Sequence, residues 1–235
     1  MKKIQTLIIT PMEKERDAFM AGLTVQEQNA LQSHSLVETS GIGKVNAAVC
    51  VGALVELARP QIDCVVTVGC AGALSPKLRL GDIVVSTDSS YWDVDCGGGN
   101  LKGQVQGMPP VFLADKSLVR KVAGAIKMSR GIEKKRRVFT GSMLTGDKFF
   151  EKPGSERALH QEFPQSLTVD METAAVAQAC LRMNVPYVSV RVVSDTFGGN
   201  RKKEYKEFWS KVAVTGFDFS RPVVEAVARW REGRK

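Results

Sequence analysis

The sequence predicts a single α/β domain over residues 1–235, built on a predominantly parallel sheet with helices on both faces. Three observations lead there. Apolar, strand-like runs alternate with helix-period stretches from one end to the other. Two runs, Asp63–Gly69 and Tyr187–Val193, are largely apolar and continuous, as strands covered on both faces are. The 235 residues contain no repeat, linker or low-complexity block, and a chain of this length buries roughly 70% of its extended surface, enough for one core.

The elements follow in order. Ile4–Thr10 reads as a strand, and Pro11 opens a helix over Met12–Met20, since proline suits a first helical turn. Leu36–Thr39 is a short strand leading through Ser40-Gly41-Ile42-Gly43 into a helix over residues 44–58 that Pro60 stops. Asp63–Gly69 is a strand, and the small residues Gly69-Cys70-Ala71-Gly72 are expected to turn after it. Asp82–Asp88 is the next strand, and residues 96–110, rich in glycine and proline, form a loop. Val138–Leu144 and Ser166–Val169 are strands on either side of a helix beginning near Pro153. Glu172–Met183 is helical, Tyr187–Val193 is a strand, and Glu204–Trp230 closes the chain helically.

Composition excludes several classes. No run approaches the ~18 consecutive apolar residues of a membrane span. The opening Met1-Lys2-Lys3-Ile4 imitates a secretory leader, but Pro11, Glu13, Lys14 and Glu15 interrupt the apolar run, so a soluble, cytoplasmic protein is expected. The net charge of +8 sits largely in Lys134-Lys135-Arg136-Arg137, in Arg201-Lys202-Lys203 and in the tail from Arg229 to Lys235. These read as solvated surface rather than a nucleic-acid groove. Cys50, Cys64, Cys70, Cys96 and Cys180 form an odd set without a Cys-x-x-Cys pair, which favours reduced core thiols over disulfides or a metal site. His34 and His160 are the only histidines, so histidine-dependent triads and zinc sites are poor candidates. The chemistry is expected to run on carboxylates.

Ligands of such sheets bind beyond the carboxyl ends of the strands. Those positions hold Met12, Glu13 and Glu15; Cys70, Ala71 and Gly72; Asp147, Phe149 and Phe150; Asp170, Met171 and Glu172; and Ser194 and Asp195. Gly41-x-Gly43 imitates a dinucleotide fingerprint but has Asn46 at the third glycine position, and no phosphate-cradling Gly-x-x-x-x-Gly-Lys-Ser/Thr occurs. Glu13, Glu15 and Glu172 lie near helix starts, where acids are ordinary. Asp195 is less ordinary: it ends an apolar strand, and a buried acid there has a raised pKa suited to proton donation. Arg191 lies inside that same strand and needs an acidic partner. It either pairs structurally or helps hold an anion or water in the pocket.

Ordered motifs carry a resemblance. Thr10-Pro11-Met12-Glu13-Lys14-Glu15, the Gly41–Ala48 segment, Val68–Leu74, Leu80–Ser86, Gly146-Asp147-Lys148-Phe149, Val169–Ala175 and Val190–Asp195 together resemble the nucleoside phosphorylase/nucleosidase superfamily. Within it they are most similar to the 5′-methylthioadenosine/S-adenosylhomocysteine nucleosidases, over Ile4 to about Phe208. The resemblance implies a mixed, mostly parallel twisted sheet and hydrolysis of the N-glycosidic bond of a 5′-modified adenine nucleoside. It also implies a homodimer, a place in methionine salvage, and no metal or organic cofactor. It gives Asp195 the acid facing adenine N7, Glu15 the carboxylate activating water, and Arg191 the arginine beside that water. Met171 and Glu172 match the ribose site, and Ala71, Gly72, Phe149 and Phe150 the adenine pocket. Tyr205 matches an aromatic near the 5′ group, and Met12, Cys70 and Ser194 complete the expected lining.

Three departures stand out. Cys70 replaces a usual serine, and Asp170 a usual glutamate. Cys96-Gly97-Gly98-Gly99-Asn100-Leu101-Lys102 lacks the aromatic residue of a loop that, in the family, crosses to the partner subunit, so Lys102 becomes a candidate for an anionic 5′ substituent. Two relatives of the same fold are weighed against hydrolysis of these substrates. Phosphorolysis is disfavoured because Glu13 and Glu15 would repel phosphate, and a futalosine or aminodeoxyfutalosine hydrolase would need a wider pocket.

Overall fold

A computed structural model describes residues 4–58, 61–129 and 136–234. Among them, eight strands form one mixed sheet. β1 (Thr6–Thr10) lies between β2 (Ser35–Thr39) and β3 (Cys64–Ala73), parallel to both. β8 (Tyr187–Asp195) runs parallel to β3 and antiparallel to β4 (Ile83–Tyr91). β6 (Val138–Thr145) runs parallel to β4 and to β7 (Ser166–Asp170), which meets the end of β3 antiparallel. A short β5 (Phe112–Leu113) adds antiparallel to β4. Five of the eight pairings are therefore parallel, as the resemblance implies.

Helices cover the sheet: α1 (Glu13–Ala21), α2 (Val25–Gln32), α3 (Lys44–Leu57), α4 (Lys116–Met128), α5 (Arg157–Glu162), α6 (Thr173–Met183), α7 (Arg201–Thr215) and α8 (Ser220–Glu232). The principal core gathers Leu7, Ile8 and Ile9 of β1, Val65, Val66 and Val68 of β3, and Val188, Val190 and Val192 of β8, all buried. Against it α4 and α8 pack together, and the buried Trp230 donates from Nε1 to Ser117 Oγ at 2.7 Å. No described helix is long and apolar enough to cross a membrane.

Several sequence expectations need correction. Gly69–Gly72 does not turn: β3 continues to Ala73 because β8 runs alongside and supplies its ladder partners, with a bulge between Ala71 and Gly72. The closing helix is two helices, separated near Gly216, whose φ of 65° is left-handed and whose missing Cβ would meet the Gly22 amide at 2.8 Å. α5 begins at Arg157 rather than near Pro153. α2 and α4 belong to none of the elements read from the pattern, yet each carries a start signal. Thr24 and Glu27 form a reciprocal capping box, and Asp115 caps α4 by accepting from the Leu118 amide at 2.8 Å. Cys96 is exposed rather than a core thiol. Pro60, Met1–Lys3, and Lys134 and Lys135 of the basic run fall outside the described residues. Arg136 and Arg137 of that run are ion-paired, with Asp218 and Asp82, each at 2.5 Å.

Candidate active site

The carboxyl ends of β1, β3, β7 and β8 open on a cavity of about 430 Å³, within the usual range for small-molecule sites. The predicted residues Met12, Glu15, Cys70, Ala71, Gly72 and Phe149 line it, together with Met171, Glu172, Ser194, Asp195 and Tyr205. Two predicted residues do not. Phe150 is buried in a separate small cluster with its ring 5.5 Å from that of Trp92, so only Phe149 of the pair faces the cavity. Arg191 stands behind the wall, fully buried in the middle of β8.

Glu15 sits in the first turn of α1, aimed under the end of β3. It is 1% exposed, and both oxygens accept backbone amides: Oε1 from Cys70 at 2.8 Å and Oε2 from Met12 at 3.0 Å. Burial pushes its pKa up to about 7, outweighing the opposing pull of Arg191 and these two amides. Gly69 makes the approach possible, because a Cβ there would lie 2.7 Å from Glu15 Oε1 and 3.0 Å from Arg191 Nη1.

Arg191 has the acidic partner that a buried cation requires. Its Nε donates to Asp170 Oδ2 at 2.9 Å, a structural pair, while Nη1 and Nη2 are buried without a hydrogen-bond partner. Asp170 is saturated: it accepts from Thr145 Oγ1 at 2.6 Å, from the amides of Glu172 and Thr173, and from Thr173 Oγ1. It thereby holds the start of α6 against β8. Glu172 Oε1 accepts from the Gly43 amide at 2.9 Å, and burial, with Asp170 beside it, drives its pKa upward. Gly43, at φ 96°, is the second glycine of the turn before α3, so that turn serves this carboxylate rather than a dinucleotide.

Asp195 ends β8, fully buried. Ser194 Oγ donates to its Oδ2 at 2.8 Å, and Arg201 Nη1 donates to its Oδ1. Burial raises its pKa, with Arg201 acting in the opposite direction. Arg201 is a correction to the solvated-surface reading: it is 2% exposed, whereas Lys202 and Lys203 of the same run are open to solvent. Its position as the first residue of α7, after the capping Asn200, turns it back beneath the sheet. Lys102, half exposed, pairs with Glu162 at 2.5 Å and is not part of the lining of this chain's own cavity.

Aromatic residues close one side. The rings of Phe149 and Tyr205 meet edge to face at 5.9 Å, and Tyr205 Oη reaches Met12 Sδ at 3.8 Å. Lys14 Nζ lies 4.5 Å from the Tyr205 ring centre, and Lys202, Lys206 and Glu151 stand at the rim. The arrangement offers one carboxyl beneath the cavity near a half-satisfied arginine, a second carboxyl at the end of β8, and an aromatic face between them and solvent.

Residues 13–226 match the model of the phosphorylase superfamily. A 5′-methylthioadenosine/S-adenosylhomocysteine nucleosidase of Bacillus cytotoxicus is 39% identical over 181 residues, 77% of this chain and 76% of that protein. The chain belongs to this nucleosidase family. Solved structures agree across nearly its whole length. The family's enzyme from Colwellia psychrerythraea, in complex with adenine, superposes with a TM-score of 0.81 at 30% identity, covering 95% of this chain and 96% of that one. The Streptococcus pneumoniae nucleosidase with a transition-state inhibitor gives 0.79 at 28% identity, covering 95% and 100%.

Proposed function

We propose that this chain hydrolyses the N-glycosidic bond of 5′-methylthioadenosine and S-adenosylhomocysteine, releasing adenine and the 5-thioribose sugar. The observation that carries the proposal is the pair Glu15 and Asp195: two buried carboxyls from different strand ends that open on one cavity. Glycoside cleavage needs an acid on the leaving group and a base on the water, in environments that set their proton affinities separately. Asp195 would protonate or hydrogen-bond N7 as the bond from C1′ to N9 breaks. Glu15 would take the proton of the water that attacks C1′, and the unpartnered Arg191 nitrogens face the same neighbourhood. Glu172 would accept from the ribose hydroxyls, Phe149 would stack on the purine, and Met12 and Tyr205 would meet the 5′ group.

Phosphorolysis fits the site less well. The cavity lining carries four carboxyl groups, of Glu15, Asp170, Glu172 and Asp195, against two lysines, Lys202 and Lys206, so its polar groups suit hydroxyls and water better than a phosphate dianion. The same reading places the chain in the cytoplasm as one domain and as a homodimer. Ile42, at the cavity wall, continues into an exposed apolar stripe with Val45 and Val49 of α3, which a second copy would cover.

Mass-spectrometric product analysis tests the reading, using 5′-methylthioadenosine, S-adenosylhomocysteine, adenosine, inosine and futalosine with and without phosphate. Adenine plus a free thioribose sugar, regardless of phosphate, is expected. A sugar 1-phosphate formed only with phosphate, or cleavage of futalosine alone, overturns it.

A further inference from the structure

The Asp195 carboxyl is already engaged from behind by a buried ion-pair network. Arg201 Nη1 donates to Asp195 Oδ1, and Nη2 donates to the Ala73 carbonyl at 2.6 Å. Its Nε faces Glu156 Oε2 at 3.4 Å. Glu156, fully buried, accepts the Gly198 amide on Oε1 at 2.6 Å, tying the loop after β8 to the segment before α5. Asp195, Ser194 and Gly72 line the cavity, whereas Arg201 and Glu156 do not. The guanidinium crosses directly over Gly72, where a Cβ would overlap Nη1. One cation therefore serves two buried acids, and only one of those acids opens on the cavity.

Arg201 directs its hydrogen bonds to Asp195 and the Ala73 carbonyl, while its Nε and Glu156 Oε2 meet as an ion pair without a hydrogen bond. One cation thus stands between two acids, of which Asp195 is the one within reach of a ligand. The remaining charged and polar neighbours are few. Glu204 of α7 is occupied by the Thr196 amide at 2.7 Å and hydroxyl at 2.8 Å. The Tyr205 phenol lies within electrostatic reach of Asp195, and β3 presents the Ala73 carbonyl and the bare Gly72. Arg201 is the cation that holds Asp195.

We propose that Arg201, anchored by Glu156, is a positioning residue: it fixes the rotation of the Asp195 carboxyl and sets the pH at which that carboxyl takes up a proton. The proposal rests on the reading that Asp195 faces the leaving purine. With Oδ1 clamped by Arg201, Oδ2 and its Ser194 hydroxyl are left as the cavity-side pair, so the proton meant for the base is carried on one defined oxygen. Burial favours the protonated carboxyl and Arg201 opposes it. The balance between them, rather than either alone, determines when Asp195 is an acid.

The test is the pH dependence of kcat and kcat/KM for 5′-methylthioadenosine in the wild type, Arg201→Met, Arg201→Lys and Asp195→Asn, with circular dichroism to establish folding. The limb belonging to Asp195 is the one absent from the residual activity of Asp195→Asn. In Arg201→Met that limb is expected to move to higher pH by about 1–3 units, the usual effect of removing an opposite charge, with kcat falling more than KM rises. Arg201→Lys should show a smaller shift in the same direction, because an ammonium cannot hold Asp195, Glu156 and the Ala73 carbonyl together. If Arg201→Met does not fold, the lysine variant decides. Profiles that lose height while both limbs stay in place make Arg201 a structural residue and overturn the proposal. Wild-type turnover in Asp195→Asn removes the underlying reading instead, whatever the Arg201 variants do.

Discussion

The Cys70 amide donates to Glu15 Oε1 at 2.8 Å, joining the seventh position of the central strand β3 to the first turn of α1. The Met12 amide holds the other oxygen, so Glu15 is fixed from two elements while almost wholly out of water. Burial nevertheless dominates, and the folded pKa of about 7 lies above the ordinary glutamate value of about 4.5. The folded state thus binds this proton more tightly than the unfolded chain does. Stability from this group falls as pH rises from about 4.5 to 7, and the full cost persists above that window. Glu15→Gln removes this titration, at the expense of one backbone acceptor, since its NH2 must face the Cys70 or the Met12 amide. Between about pH 4.5 and pH 8 the wild type should lose on the order of 3 kcal/mol of stability relative to the variant. Denaturant unfolding at the two pH values checks this, and a stability difference that does not change with pH contradicts it.

Asp195→Asn keeps the shape and the Ser194 and Arg201 contacts but cannot transfer a proton. Its turnover should fall by about 10²–10⁴-fold, the usual contribution of a positioned general acid, while KM changes much less. Steady-state kinetics on 5′-methylthioadenosine, alongside an unchanged circular dichroism spectrum, provide the check. Near-wild-type turnover would remove the leaving-group role.

Gly69→Ala tests the crossing of Glu15 and Arg191 beneath the cavity. Its Cβ would press on a carboxylate oxygen at 2.7 Å and a guanidinium nitrogen at 3.0 Å. Because misplacement of catalytic groups by about 1 Å costs up to about 10²-fold, the variant should lose at least about tenfold in kcat. Adenine binding should be nearly unchanged, since the purine-side residues Phe149 and Asp195 are not displaced. Calorimetric titration with adenine separates the two, and equal losses in binding and turnover would show a general collapse of the site.

Legibility in the sequence followed the range of the interactions involved. The apolar runs of β1, β3 and β8 announced a covered sheet, and the strand-end rule brought Glu15, Glu172 and Asp195 to one place. What stayed hidden depended on partners distant in sequence. Gly69–Gly72 looked like a turn because small residues favour turns, whereas here they are small so that Glu15, Arg191 and Arg201 can cross the strand. Arg201 looked like surface because Lys202 and Lys203 follow it, and only the direction of α7 turns it inward. Phe149 and Phe150 are neighbours of the same type in sequence, and the chain path alone decides which faces the cavity. Arg191 was the informative exception, since a cation inside an apolar strand required an acid, and Asp170 is that acid.

The α3 stripe supplies the last prediction. Val45 and Val49 are 73% and 64% exposed, one helical turn apart, and Ile42, 51% exposed, joins them to the cavity wall. If a second copy covers this stripe, a charge placed on it must be desolvated on association, at a cost of several kcal/mol. Val49→Glu should weaken the dimer by about 10²-fold or more without changing the fold, because the exposed side chain supports no core contact. Light scattering should give a dimer for the wild type and a monomer for the variant at the same concentration. The cavity wall at Ile42 would then lose its cover, so KM for 5′-methylthioadenosine should rise in the monomer more than kcat falls. A wild-type monomer, or a variant that stays dimeric with unchanged KM, places the dimer contact elsewhere or removes it.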